Sequence, residues 1–202
     1  MPLRPFTLVL LIVLIVSSGC RAAVVPEAGL LEGVLLESPA SKPSFTLTDT
    51  SGVTYDFTSE TEDRLTLLYF GYTNCPDICP VHLAQIAEVF ERLPEVRRNS
   101  TVVFVTVDPD RDTPQALERF VGAFSEDIVA LTGTPDELEE AQLSAGVPVA
   151  TREGDGEDYT VGHAGQVLVY SPNGKGYSVY PFGTRQSVWM HDLPILLARA
   201  DA

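Results

Sequence analysis

The chain has 202 residues, 45% of them apolar, and its 28 acidic against 13 basic side chains leave a net charge of −15. That length and apolar share suffice for one domain with a full core. Acidity on this scale argues against nucleic-acid binding, which needs a basic footprint, and against unspecific adhesion to anionic lipid; its plain consequence is solubility.

Residues 1–19 read as an export signal rather than as part of a fold. Arg4 supplies a positive start, and residues 6–16 form an apolar run too short for a stable membrane span. The run ends in Ser17-Ser18-Gly19-Cys20, which resembles the lipidation box of bacterial lipoproteins. Residues 1–19 are therefore expected to be removed and Cys20 to carry lipid; an uncleaved N-terminal anchor is the alternative. Either arrangement puts the remaining chain outside the cytoplasmic membrane. Residues 20–40 lack a clear period and read as a tether, leaving 41–202 as the folded domain.

Within that domain, residues 44–58 alternate about Thr50-Ser51-Gly52 and predict a hairpin. A buried-type strand follows at 65–72. The next segment, 78–93, sets Leu83, Ile86, Ala87 and Phe90 at helical spacing. Residues 101–108 form another apolar strand. Thr113-Pro114 opens a helix reaching about residue 124, with proline at its first position. After a short strand at 128–133, Thr134 and Glu137 make a capping box for one more helix. Strands at 165–171 and 176–183 flank the turn Pro172-Asn173-Gly174, and residues 187–200 close the chain as a helix disturbed at Pro194. A strand–helix–strand core followed by a hairpin and a closing helix is the order of the thioredoxin fold. The predicted class is α/β, thioredoxin-like, with an N-terminal β-hairpin extension and its first two core strands parallel neighbours.

Cys75 and Cys79 end the run Tyr69-Phe70-Gly71-Tyr72-Thr73-Asn74-Cys75-Pro76-Asp77-Ile78-Cys79-Pro80. With Cys20 lipidated they are the remaining thiols, in a compartment where thiols tend to oxidise. The topology places them at a helix N-terminus, where free N–H groups favour a thiolate. At i and i+4 on one helix face they can share a disulfide or one metal ion. A merely structural disulfide would close a tiny loop and stabilise little.

A neutral imidazole would complete a three-ligand set for Cu(I) or Zn(II). His82 is close to Cys79 in sequence but rises too far along the helix from Cys75; it reads as a partly exposed surface residue. His191 belongs to the last helix and reads as a capping or packing residue. His163 lies on the loop entering the strand after the core, which in a thioredoxin-like fold crosses the cysteine-bearing helix end. That placement favours it as the third ligand. The segment Asp108-Pro109-Asp110-Arg111-Asp112-Thr113-Pro114 lacks calcium-loop spacing and reads as a turn with a helix cap. Asp77, between the cysteines, reads as a first-turn polar residue able to tune them.

These motifs, in this order over about residues 40–195, closely resemble the Sco/SenC family of copper-handling proteins. The resemblance implies a membrane-tethered protein of thioredoxin fold that binds one copper ion, as Cu(I) or Cu(II), and helps assemble the copper centre of cytochrome c oxidase. It also carries the family's copper ligands over to Cys75, Cys79 and His163. One departure stands out. The family commonly has Asp before its ligand histidine, as in Val-Asp-His-Ser, whereas this chain has Gly162-His163-Ala164.

The function expected from the sequence is thus a copper chaperone, not a turnover enzyme, whose partner is the copper-accepting oxidase subunit. Other copper carriers or thiol-disulfide proteins are further expected partners. The runner-up is a thiol-disulfide oxidoreductase using Cys75 and Cys79 as its catalytic redox pair on the acceptor's cysteines. A thiol peroxidase fits less well, because no proline-anchored threonine motif precedes Cys75.

Overall fold

The structure, a computed structural model, describes residues 30–154, 156 and 158–200. The expected signal segment and Cys20 lie outside the described residues. Among those described, no helix is long and apolar enough to cross a membrane.

Among the described residues, ten strands and six helices follow in the order β1 (Val34–Ser41), β2 (Thr46–Asp49), β3 (Thr54–Asp56), α1 (Phe57–Glu60), β4 (Leu65–Gly71), α2 (Ile78–Arg92), α3 (Pro94–Arg98), β5 (Ser100–Thr106), α4 (Pro114–Gly122), β6 (Ile128–Thr132), α5 (Pro135–Ser144), β7 (Thr151–Glu153), β8 (Thr160–Gly162), β9 (Val167–Tyr170), β10 (Lys175–Tyr180) and α6 (Gln186–Leu197). Eight strands form one sheet in the order β1-β10-β9-β4-β5-β6-β2-β3, while β7 and β8 pair separately. β4 runs parallel to β5, in register from Leu65↔Ser100 to Gly71↔Thr106, and β5 runs parallel to β6. The hairpin β9–β10 and the extension β2–β3 attach antiparallel on opposite sides of this parallel centre.

Every residue of β4 is buried, so its period of two divides between two cores rather than between core and water. Leu65, Leu67 and Tyr69 pack with the apolar stripes of α2 and α6; Leu68 and Phe70 pack with Phe57 of α1 and Leu138 of α5. On α2, Cys79 and His82 lie on the same stripe as Leu83, Ile86, Val89 and Phe90. The spacing that buries those apolar side chains therefore turns the Cys79 sulfur inward. The capping box at Thr134 and Glu137 forms as expected, and Thr113 caps α4 by accepting from the Ala116 amide. Gly52 and Gly174 take positive φ at the two hairpin turns, where a side chain would be strained. α6 continues through Pro194, which falls in its last turn.

The stretch read as a tether differs from expectation in its second half. Residues 34–41 form β1, the edge strand of the sheet, paired with β10. Nearly all of β1 is exposed, so no inside–outside alternation betrays it. Its lead-in is fixed by Asp192, which accepts from the Glu32 amide (3.0 Å), the Gly33 amide (2.8 Å) and the Tyr180 hydroxyl (2.8 Å). The short helices α1 and α3 and the β7–β8 pair also fall below what periodicity reveals, since each spans five residues or fewer.

Asp192 is fully buried, so its loss leaves those donors without an acceptor, at about 1–3 kcal/mol each. Asp192→Ala is expected to lower unfolding free energy by about 3 kcal/mol in urea titration. A loss below about 1 kcal/mol would show that β1 is not held through this carboxylate.

Candidate metal centre

β4 ends at Gly71, and the chain turns through Thr73 and Asn74 before α2 begins at Ile78. Cys75 sits in that turn, its amide donating to the Tyr72 carbonyl (3.2 Å), and Cys79 sits in the first turn of α2. Both are buried free thiols. Close approach at Gly71 makes this possible: a Cβ there would stand 2.7 Å from the Cys79 sulfur and 2.8 Å from the Phe104 ring. Glycine is needed for contact, not for backbone conformation.

The segment after β8 crosses over the cysteines. His163 Nε2 lies 3.9 Å from the Cys75 sulfur and 3.7 Å from the Cys79 sulfur. Its Nδ1 is 3.1 Å from the Ala164 carbonyl, which can act as an acceptor alone. The ring proton therefore belongs on Nδ1, and the Nε2 lone pair faces the sulfurs. The edges of Tyr72 and Tyr69 confine the imidazole, with centroids at 5.5 and 6.2 Å.

Cys75, Cys79 and His163 bring their ligand atoms within 4.8 Å of one another. Donors bonding one ion at about 2.0–2.3 Å in a trigonal plane stand nearly 4 Å apart, so the two nitrogen–sulfur separations suit a shared ion. Two sulfurs and an imidazole make a soft donor set.

The two thiols are electrostatically unequal. The neighbouring Cys79 thiol, followed by the backbone amides of Cys79 and Asp77, holds Cys75 well below the ordinary thiol value of 9.0. The Cys79 amide itself is 3.4 Å from the Cys75 sulfur. Cys79 is pushed up, first by its contact with Cys75 and then by burial. The pair is thereby divided, with negative charge favoured at Cys75 and the proton favoured at Cys79.

The other histidines are elsewhere. His82 is not a partly exposed helix-surface residue; it is fully buried, because it shares the inward stripe of α2 with Cys79. Tyr69, Phe182 and Trp189 surround its ring. Burial lowers its pKa, and its Nε2–H donates to the Gly165 carbonyl at 3.1 Å, tying α2 to the His163 segment. His191 donates from Nδ1 to the Asp192 carboxylate (2.7 Å) and stays half exposed. Asp77 occupies the N-cap position of α2 without a side-chain cap bond.

Three contributors were not legible as such. Tyr69 donates its hydroxyl to the Cys79 sulfur (3.3 Å), and burial raises its own pKa. Tyr72 backs the imidazole. A carboxylate also stands beside the glycine that precedes His163: Glu153 Oε1 lies 2.9 Å from where a Gly162 Cβ would be. Cross-strand pairing of β7 with β8 brings it there.

A family model described as SCO1/SenC matches residues 35–198. This chain belongs to the SCO1/SenC family. A Stutzerimonas stutzeri protein named for copper binding is 35% identical over 157 residues, covering 76% of this chain and 74% of that protein. The solution structure of apo Sco1 from Thermus thermophilus superposes with a TM-score of 0.73 at 30% identity, covering 83% of this chain and 97% of that one. Bradyrhizobium japonicum ScoI with copper bound gives 0.70 at 29% identity, covering 78% and 100%. Among mitochondrial relatives the alignments span 33% to 45% of their own length, so this SCO1/SenC chain matches part of those proteins. The thioredoxin-like fold expected from the element order is the fold of these structures.

The thiol asymmetry has a direct optical readout. Ultraviolet titration of the reduced, metal-free protein is expected to show one thiolate at neutral pH, absent in Cys75→Ser. In Cys79→Ala its midpoint should rise, because the first cause of the low value is gone. Thiolate absorption that appears only near the ordinary thiol range would contradict the asymmetry.

Proposed function

We propose that this protein carries one copper ion on Cys75, Cys79 and His163 and delivers it to the copper-accepting subunit of cytochrome c oxidase. The observation that carries this reading is the convergence of two sulfurs and an imidazole Nε2, in an SCO1/SenC chain. Copper in the structure of the Bradyrhizobium relative supports the choice of ion.

Copper here is cargo. Two thiolates and an imidazole satisfy Cu(I) in a site largely closed to water, and three ligands leave the ion open to an incoming thiolate. Transfer then proceeds by ligand exchange: an acceptor cysteine bonds the ion as one of the chain's own ligands lets go. Cys75, in the turn and already a thiolate, makes the first bond to an arriving ion. Cys79 gives up its proton on binding, and His163 closes the third position with its proton parked on Nδ1 toward Ala164. The N-terminal signal reading supports a site of action outside the cytoplasmic membrane, with Cys20 as the lipid anchor, residues 1–19 removed and the copper-binding domain carried on the segment before β1.

The low-pKa thiol at Cys75 favours a second reading, thiol-disulfide exchange. The Cys75 thiolate would attack an acceptor disulfide, Cys79 would release the mixed disulfide, and the acceptor would leave with two thiols while Cys75 and Cys79 become a disulfide. Both readings need the cysteines; copper carriage alone needs His163.

Titration of the reduced protein with Cu(I) against a competing chelator separates them. The wild type is expected to bind one ion tightly, and His163→Ala to lose about a hundredfold or more in affinity while still reducing a model disulfide. Cys75→Ser should abolish both. Copper binding indifferent to His163 would overturn the ligand set and favour the oxidoreductase.

A further inference from the structure

We propose that the turn between β5 and α4, residues 107–113, is a clasp that positions the two halves of the site against each other: Asp112 holds the cysteine turn, and Asp108 with Arg111 holds the segment bearing His163. This deepens the copper-carrier reading and rests on His163 being a ligand.

The need for a clasp follows from topology. The cysteine turn leaves the central strand β4, but His163 follows β8, which pairs with β7 alone and not with the main sheet. A two-stranded pair of three-residue strands is marginal by itself. Main-sheet hydrogen bonds hold this segment only from Val167 of β9 onward, so on its β8 side the height of His163 over the sulfurs falls to side chains.

The clasp grips both sides from one turn. Asp112, 1% exposed, accepts from the Thr73 amide (3.0 Å), the Thr73 hydroxyl (2.6 Å) and the Thr106 hydroxyl (2.6 Å). Thr73 lies two residues before Cys75, so its amide and side chain anchor the entry to the cysteine turn. Asp108, 4% exposed, accepts the Tyr159 hydroxyl at 2.5 Å and Arg111 Nε at 2.6 Å. Arg111 donates to the Tyr159 carbonyl (2.9 Å) and stacks its guanidinium 3.6 Å from the Tyr159 ring centroid. Tyr159 is thus held by hydroxyl, ring and carbonyl, immediately before β8 and four residues before His163. Arg152 of β7 stacks on the same ring at 3.7 Å, joining the second strand to the clasp.

The two carboxylates grip different segments, Thr73 on one side and Tyr159 on the other, which makes their consequences separable. Loss of the Tyr159 hydroxyl loosens the His163 side and leaves Asp112 on Thr73. Copper binding should suffer while dithiol chemistry does not. An amide at position 112 would turn a nitrogen donor toward Thr73 and Thr106, disturbing the cysteine turn and with it both properties.

The test compares the full chain as wild type, Tyr159→Phe, Asp112→Asn and His163→Ala, all reduced. In metal-free protein, ring-nitrogen NMR of His163 and amide exchange over residues 160–162 report the hold on the segment without copper. Tyr159→Phe is expected to shift the His163 ring signals, speed that exchange and lower Cu(I) affinity about 10–100-fold, with the Cys75–Cys79 midpoint potential unchanged. Asp112→Asn is expected to change both affinity and potential. Wild-type ring signals and exchange in Tyr159→Phe would overturn the clasp, as would an affinity loss matched by a shift in potential. His163→Ala judges the ligand reading on its own: unchanged copper affinity there would sink that reading, while the metal-free measurements still decide the clasp.

Discussion

A histidine 84 residues beyond Cys79 has to be held 3.7 and 3.9 Å from two buried sulfurs. Each half of that requirement is met by a different device. The sulfurs are placed by the core: Cys79 rides the inward stripe of α2, and the absence of a side chain at Gly71 lets it settle against the end of β4. The imidazole is placed by side-chain contacts. Tyr72 backs its ring, and His82 donates to the Gly165 carbonyl just beyond it.

The electrostatics follow from the same packing. Cys75 lies where the amides of Asp77 and Cys79 point, so negative charge is favoured there, while contact with Cys75 and burial in the core push Cys79 up against the opposing Tyr69 hydroxyl. A pair of identical thiols so divided is suited to taking up a metal stepwise, and equally to attack on a disulfide. Burial prevents indiscriminate oxidation; the open side toward Pro76 and Asp77 leaves a route for a partner. One geometry therefore underlies both readings of function, and His163 is where they part.

Much of the fold was readable because its central strands are continuous apolar runs and its helices carry explicit punctuation, such as Thr113-Pro114 and the Thr134–Glu137 capping box. The grouping of Cys75, Cys79 and His163 was readable through topology, since a strand–helix–strand core dictates which loop faces the helix end. Elements without an inside were not readable: β1 is an exposed edge strand, and β7 and β8 are too short to show a period. His82 was misread because a polar residue on an apolar stripe is ordinarily solvated, and its burial depends on Trp189 arriving from α6, far along the chain. The carboxylates of the β5–α4 turn looked like turn chemistry alone, because their partners Thr73 and Tyr159 lie on distant segments. Glu153 escaped notice for the same reason: strand pairing, not sequence proximity, puts it beside Gly162.

In the copper-carrier reading two sulfurs and one imidazole nitrogen share a single copper ion, and X-ray absorption spectroscopy of the chain loaded with one equivalent of Cu(I) would count those donors. The expected first coordination shell holds two sulfur scatterers and one nitrogen scatterer, with the outer-shell signature of a single imidazole that disappears in His163→Ala. A shell with one sulfur, or an imidazole signature that survives that substitution, would contradict it.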